Sequence, residues 1–139
     1  MMNRHAILVV VLLTPVALGQ PSFQGLGDLP GGEFFSRAED VSGDGSVVVG
    51  YSVGASGNEE AFRWTAGDGM QALGDLPGGA VRSIALGVSR DGGVIVGQSV
   101  SGAYPSEAFR WTASRGMETL PPFPWQDYRG SGAVDVSDD

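Results

Sequence analysis

Glu107-Ala108-Phe109-Arg110-Trp111-Thr112-Ala113 repeats, residue for residue, Glu60-Ala61-Phe62-Arg63-Trp64-Thr65-Ala66, which lies 47 positions earlier. In an extended chain this stretch puts Phe109 and Trp111 on one side and Ala108 and Arg110 on the other, the alternation of a strand with one apolar face. The same interval holds outward in both directions. Leu26-Gly27-Asp28-Leu29-Pro30-Gly31-Gly32 returns as Leu73-Gly74-Asp75-Leu76-Pro77-Gly78-Gly79, and Gly69-Met70 returns as Gly116-Met117. Val41-Ser42-Gly43-Asp44-Gly45 returns as Val88-Ser89-Arg90-Asp91-Gly92. Between residues 26–72 and 73–119, 27 of 47 aligned positions are identical without a gap, so the chain is a duplication. A degenerate third copy spans 120–139: Pro121-Pro122-Phe123-Pro124-Trp125 replaces the glycine loop, and Val136-Ser137-Asp138-Asp139 realigns at an offset of 48. Periods of this size mark arrays of small units that bury their faces against neighbours.

Within one unit, turn chemistry separates four short strands. Ser83 to Ser89 reads as the first and Gly93 to Val100 as the second, joined by Arg90-Asp91-Gly92, where glycine accepts the positive φ of a tight hairpin. On the second strand Val94, Val96 and Val100 face one way, and Ile95, Gly97 and Ser99 the other. Glu107 to Thr112 is the third strand; after the turn at Ser114-Arg115-Gly116, Met117 to Leu120 is the fourth. The expected fold class is therefore all-β, with about four antiparallel strands per 47 residues. Units of about 40–50 residues with four strands match β-propeller blades. Two units and a partial third cannot close a ring of about four to eight blades, so the expectation is an incomplete, open array that is completed by further repeats or self-association. A larger propeller of which this chain is a piece fits the same pattern. Gly50 and Gly97 leave room on one sheet face, and Trp64 or Trp111 of an adjacent sheet has the volume to fill it.

The N-terminal residues 1–19 read as a signal peptide. Arg4 and His5 form a short basic region, Ala6 to Leu18 is an apolar run, and Ala17-Leu18-Gly19 supplies small residues for cleavage after Gly19. That run is too short for a bilayer crossing, which needs about 20 residues, and Pro15 interrupts it. The expected product, residues 20–139, is secreted or at the cell surface, with no membrane span after cleavage. It has lost the only histidine; the chain has no cysteine and no lysine, and seven arginines face sixteen acids, a formal net charge of −9. Such a surface repels phosphate backbones, which argues against nucleic acid as a partner. Triads built on imidazole or amine bases have no residues to use, and the Cys/His ligands of zinc and copper are missing.

Carboxylates are what remains. A glycosidase-type pair needs two, but Asp28/Asp75, Asp44/Asp91 and Glu60/Glu107 recur at the repeat period, as turn makers or ion-pair partners do, whereas a catalytic pair is placed once. Calcium is the one cofactor to weigh: Asp40 with Asp44, or Asp135 with Asp138 and Asp139, offers several oxygens near a turn, against the alternative that Asp44 and Asp91 bond their own backbone. Arg63 and Arg110 are expected to pair with an acid such as Asp75 or Glu107. Pro30-Gly31-Gly32 and Pro77-Gly78-Gly79 read as type II turns, not phosphate loops, because no Gly-Lys-Ser follows. The divergent segment holding Phe123, Trp125 and Tyr128 escapes the repeat and is the place to expect a ligand surface.

The Ala-Phe-Arg-Trp-Thr strand, the Leu-Gly-Asp-Leu-Pro-Gly-Gly loop and the Val-Ser-x-Asp-Gly turn before a valine-rich strand resemble the HAF family of probable extracellular repeats. Glu60 and Glu107 stand where that family's strand begins with histidine. The resemblance covers Leu26 to Asp139 and implies an exported bacterial protein with propeller-like repeats; it implies no reaction. Ser42-x-Asp44-Gly45 is also similar in turn geometry to the Asp-box of sialidase-type propellers, but lacks the extra residue between Asp and Gly and the aromatic after it. The reading that follows is a non-enzymatic interaction or structural module with an extracellular protein or glycan as partner. The alternative is a carbohydrate-binding or glycan-acting propeller module.

Overall fold

The computed structural model describes residues 23–121 and 130–137. Among them there are eight strands and no helix, hence no helix that is long and apolar enough to cross a membrane. The strands are β1 (Ser36–Val41), β2 (Val47–Val53), β3 (Glu59–Thr65), β4 (Gly69–Ala72), β5 (Ser83–Val88), β6 (Ile95–Ser99), β7 (Glu107–Thr112) and β8 (Gly116–Thr119). They form two four-stranded antiparallel meanders, β1-β2-β3-β4 and β5-β6-β7-β8, and neither sheet closes on itself. Each repeat unit is one blade-like sheet, so the all-β expectation holds and the expected strands stand within a residue or two of the observed ones.

Local chemistry explains the repetition. Gly45 and Gly92 sit at φ +74° and +72° in the hairpins that follow Asp44 and Asp91, a region where a β-carbon is strained. Gly31 and Gly78 have φ +85° and +88°, which is the third position of the type II turn that Pro30 and Pro77 start. Each first strand carries a bulge, between Ala38 and Asp40 in sheet 1 and between Ala85 and Gly87 in sheet 2. Opposite each bulge lies the inner-strand glycine. A β-carbon on Gly50 would collide with the Arg37 carbonyl oxygen, and one on Gly97 with the Ile84 carbonyl oxygen. This corrects the expectation that these glycines make room for a tryptophan of the neighbouring sheet. The space belongs to the adjoining strand of the same sheet, and Trp111 lies on the same face of that sheet as Gly97, two residues along β7 from its partner Phe109.

The sheets stack face to face. Register places Val47, Val49 and Ala61 on one face of sheet 1, and Ala85, Val88, Ile95 and Phe109 on one face of sheet 2. These two sets, with Leu73 and Leu76 from the connecting loop, form a single buried cluster, and Trp111 and Met117 pack at its margin. Strand β5 lies across β1, β2 and β3. The largest fully buried side chains are Phe62 and Phe109. Phenylalanine therefore fills the centre of each unit, while Trp64 and Trp111 are half-buried.

Candidate functional site

The recurring polar residues converge on backbone groups. Asp44 Oδ1 accepts from the Ser46 N–H at 2.9 Å and from the hydroxyls of Ser42 and Ser46, both at 2.7 Å. Asp91 Oδ1 repeats the pattern with the Gly93 N–H at 2.9 Å and the Ser89 hydroxyl at 2.6 Å. Ser42 and Ser89 in turn accept the N–H of Val47 and Val94, both at 3.0 Å, closing each hairpin. The donors hold the Asp44 carboxyl at about pKa 2, the Ser46 N–H contributing most and the two hydroxyls next. The Asp91 carboxyl is lowered too, first by the Ser89 hydroxyl and then by the Gly93 N–H. These are turn-forming carboxylates. The two turns meet where the Gly43 N–H donates to the Arg90 carbonyl at 3.0 Å. Gly43, Asp44, Arg90 and Asp91 line an open cleft there.

Of the residues weighed for calcium, Asp40, Asp44 and Asp135 all accept from backbone N–H groups. Asp40 uses both oxygens on backbone: Oδ1 accepts from its neighbour Val41 at 2.8 Å, and Oδ2 reaches across to the Val88 N–H of sheet 2 at 2.9 Å. The division has a cause in the sequence. The residue before Val88 is Gly87, which has no carboxylate to serve that N–H, so Asp40 serves both valines. Asp135 Oδ1 accepts from Val136 at 2.8 Å in the same local way. Asp138, Asp139, Phe123, Trp125 and Tyr128 lie outside the described residues, as do residues 1–22. Among the described residues no group of three His, Cys, Asp or Glu side chains stands close enough to share a metal.

The arginine pairing is corrected as well. Among the described residues, neither Arg63 nor Arg110 makes an ion pair; the pair that joins the sheets is Arg82 with Glu59 at 2.8 Å. Arg82 occupies a position whose partner in the first unit is Phe35, so the repeat offers no hint of it. Glu60 accepts from the Ser56 hydroxyl at 3.0 Å. For the recurrence of Asp28 and Asp75, the structure shows no side-chain partner among the described residues.

Serines are the polar residues that sequence reasoning overlooked. Ser52 and Ser99 are buried on the inner strands, where each accepts from the loop leucine, Leu29 or Leu76, at 3.0 Å. Each donates in turn to the backbone near the start of its unit, Ser52 to the Phe35 carbonyl at 2.8 Å and Ser99 to Arg82 at 3.2 Å. Ser83 donates to the Gly74 carbonyl at 2.6 Å and accepts the Ala61 N–H of sheet 1 at 2.9 Å, bolting the sheets together. Ser131 takes the equivalent place on sheet 2, accepting the Ala108 N–H at 2.7 Å. The signal was in the sequence: Ser36 and Ser83 lie 47 residues apart and Ser131 a further 48, the interval of the third copy.

Compared with protein-family models, curated proteins and solved structures, the chain matches none.

Proposed function

We propose that the chain is an exported, non-catalytic repeat module, of the kind that the HAF resemblance implies, working through its surfaces as an interaction or structural element. One observation carries the reading: of the recurring acids, Asp44, Asp91 and Glu60 are bonded to their own turn or loop, and the non-recurring Asp40 is bonded to backbone of both sheets. A general acid or base needs its carboxyl aimed at a substrate and raised toward neutrality. Here the resolved shifts run the other way, toward permanently ionised turn carboxylates. An extracellular protein or glycan is the partner class this acidic, lysine-free chain suits.

The test begins with export. Expressed in a bacterial host with its own leader, the protein should be recovered outside the cytoplasmic membrane with the mass of residues 20–139. Full-length protein retained in the cytoplasm would overturn that part. The recovered protein is then assayed against chromogenic glycosides and a glycan array. Turnover abolished by Asp44→Asn or Asp91→Asn would refute the non-catalytic reading. Saturable glycan binding lost in Trp125→Ala, with the fold intact, would make the module a carbohydrate binder.

A further inference from the structure

The internal interface has two unlike sides. Sheet 1 offers an outgoing face, Val47, Val49 and Ala61, and sheet 2 meets it with an incoming face that includes Ser83, Ala85 and Phe109. Duplication means each sheet has both faces. The outgoing face of sheet 2, around Val96 and Ala108, is occupied by residues 130–137 of the same chain: Ser131 accepts the Ala108 N–H at 2.7 Å and the Ala133 N–H donates to the Gly97 carbonyl at 3.1 Å. The incoming face of sheet 1 has no such cover among the described residues. There Ser36 and Ala38, the counterparts of Ser83 and Ala85, are exposed in an open groove of about 540 Å³ whose walls include Phe23 and Phe34, while Phe62, the counterpart of Phe109, lies buried beneath it. Phe34 is 93% exposed. Ser36 donates to the Gly27 carbonyl at 2.7 Å as Ser83 does to Gly74, but among the described residues no N–H takes the acceptor position that Ala61 fills on Ser83.

The occupant of sheet 2 identifies what fits. Ser131-Gly132-Ala133-Val134-Asp135-Val136-Ser137 and Ser36-Arg37-Ala38-Glu39-Asp40-Val41-Ser42 share the pattern Ser-x-Ala-x-Asp-Val-Ser. In both, the aspartate serves the N–H of the following valine at 2.8 Å. β1 therefore carries the same contact chemistry as the segment already seated on sheet 2, and it has a whole apolar sheet behind it. We propose that the open face of sheet 1 is a docking surface for the outgoing face of sheet 2 in a second copy of this chain. In that contact β1 of one copy replaces residues 130–137 of the other, which act as a tethered competitor. The contact is head-to-tail, so it propagates into open chains of copies unless the rotation between them closes. This goes beyond the proposed function, because its test reads association and neither export nor activity.

Sedimentation velocity of the full chain over a concentration series tests it. Ala133→Arg loosens the competitor and leaves both docking faces intact. Because a tethered segment acts at an effective concentration on the order of mM, its release should bring association to at least about tenfold lower concentration. Ala38→Arg, at an exposed position, should block docking, and Ala38→Arg/Ala133→Arg should remain monomeric. Register is read separately: with no native cysteine, Ser36→Cys/Ala108→Cys/Ala133→Arg should give a ladder of disulfide-linked copies on a non-reducing gel. A single-cysteine control stops at dimer. The proposal fails if Ala133→Arg associates no more readily than the parent, if the double variant associates as strongly as Ala133→Arg alone, or if the cysteine pair gives no ladder.

Discussion

Ser83 and Ser36 occupy the same place in successive units, yet one is 1% exposed and the other lies in the open. Removing the Ser83 hydroxyl leaves the buried Ala61 N–H without its acceptor, so Ser83→Ala should cost about 1–3 kcal/mol in urea unfolding. Ser36→Ala removes only an exposed bond to Gly27 and should stay within about 0.5 kcal/mol. Equal costs would mean that the inter-sheet bond is energetically idle. Thr112 gives a contrast of opposite sign. Thr65 Oγ1 bonds Asp68, accepting its N–H at 3.2 Å and donating to its carboxylate at 3.1 Å. In the second unit Arg115 replaces that aspartate, and Thr112 Oγ1 is buried without a partner. Thr112→Val should accordingly be neutral or stabilising, whereas Thr65→Val loses its bonds to Asp68 and should cost about 1 kcal/mol. The turn aspartates set the acid response. Their folded pKa values lie below the ordinary value of 3.8, Asp44 at about 2. The folded state thus binds fewer protons than the unfolded one, and the stabilisation is complete above the unfolded pKa and lost as pH falls toward the folded value. Tm should fall as pH drops from about 4 to about 2, and Asp44→Asn/Asp91→Asn should flatten that limb of the profile.

At the scale of strands and turns, the fold was legible because each element carries its own local cause. Asp-Gly marks the hairpins, Pro-Gly the loops, and period-two alternation the strands, so boundaries came out within a residue or two without tertiary information. What escaped was set by registration between sheets. Asp40 looks like a spare acid near a turn until Gly87 is seen to lack a carboxylate for Val88. Arg82 finds Glu59 only because β5 lies across sheet 1. A bulge in the adjoining strand has no residue signature of its own, so from sequence the inner glycines look like space left for a tryptophan. That correction is testable at the level of the element. Gly97→Ala drives a β-carbon into the Ile84 carbonyl and within 2.9 Å of the Phe109 ring, and should cost at least about 1–3 kcal/mol. Gly67→Ala has nothing within 4 Å and no positive φ, and should be neutral or stabilising by up to about 1 kcal/mol. If the glycines served an inter-sheet tryptophan instead, Trp64→Ala or Trp111→Ala would relieve Gly50→Ala or Gly97→Ala; the bulge geometry gives no such rescue.

For the molecule as a whole, the question is whether each sheet stands alone or borrows stability from its neighbour. A single four-stranded meander of this size buries too little apolar surface to offset the entropy of ordering it, and repeat arrays solve this by nearest-neighbour contact. The duplication supplies its own control, because the same position faces different surroundings in the two units. Val48 and Ile95 are counterparts 47 residues apart. Ile95 is fully buried in the cluster between the sheets, whereas Val48, on the open face of sheet 1, is only half-buried. Ile95→Ala removes methyl groups from the interface and leaves a cavity that neither sheet can close alone, so it should cost about 2–5 kcal/mol. Val48→Ala should cost well under half of that, since solvent reaches the vacated space. Measured at a protein concentration where the chain is monomeric, and scaled for the extra methylene of isoleucine at about 0.8 kcal/mol, comparable costs would mean that two sheets fold independently and merely touch. A large excess at Ile95, with one unfolding transition in both variants, makes the inter-sheet contact the source of stability. It would also explain why an uncovered incoming face is a liability that the array has to satisfy elsewhere.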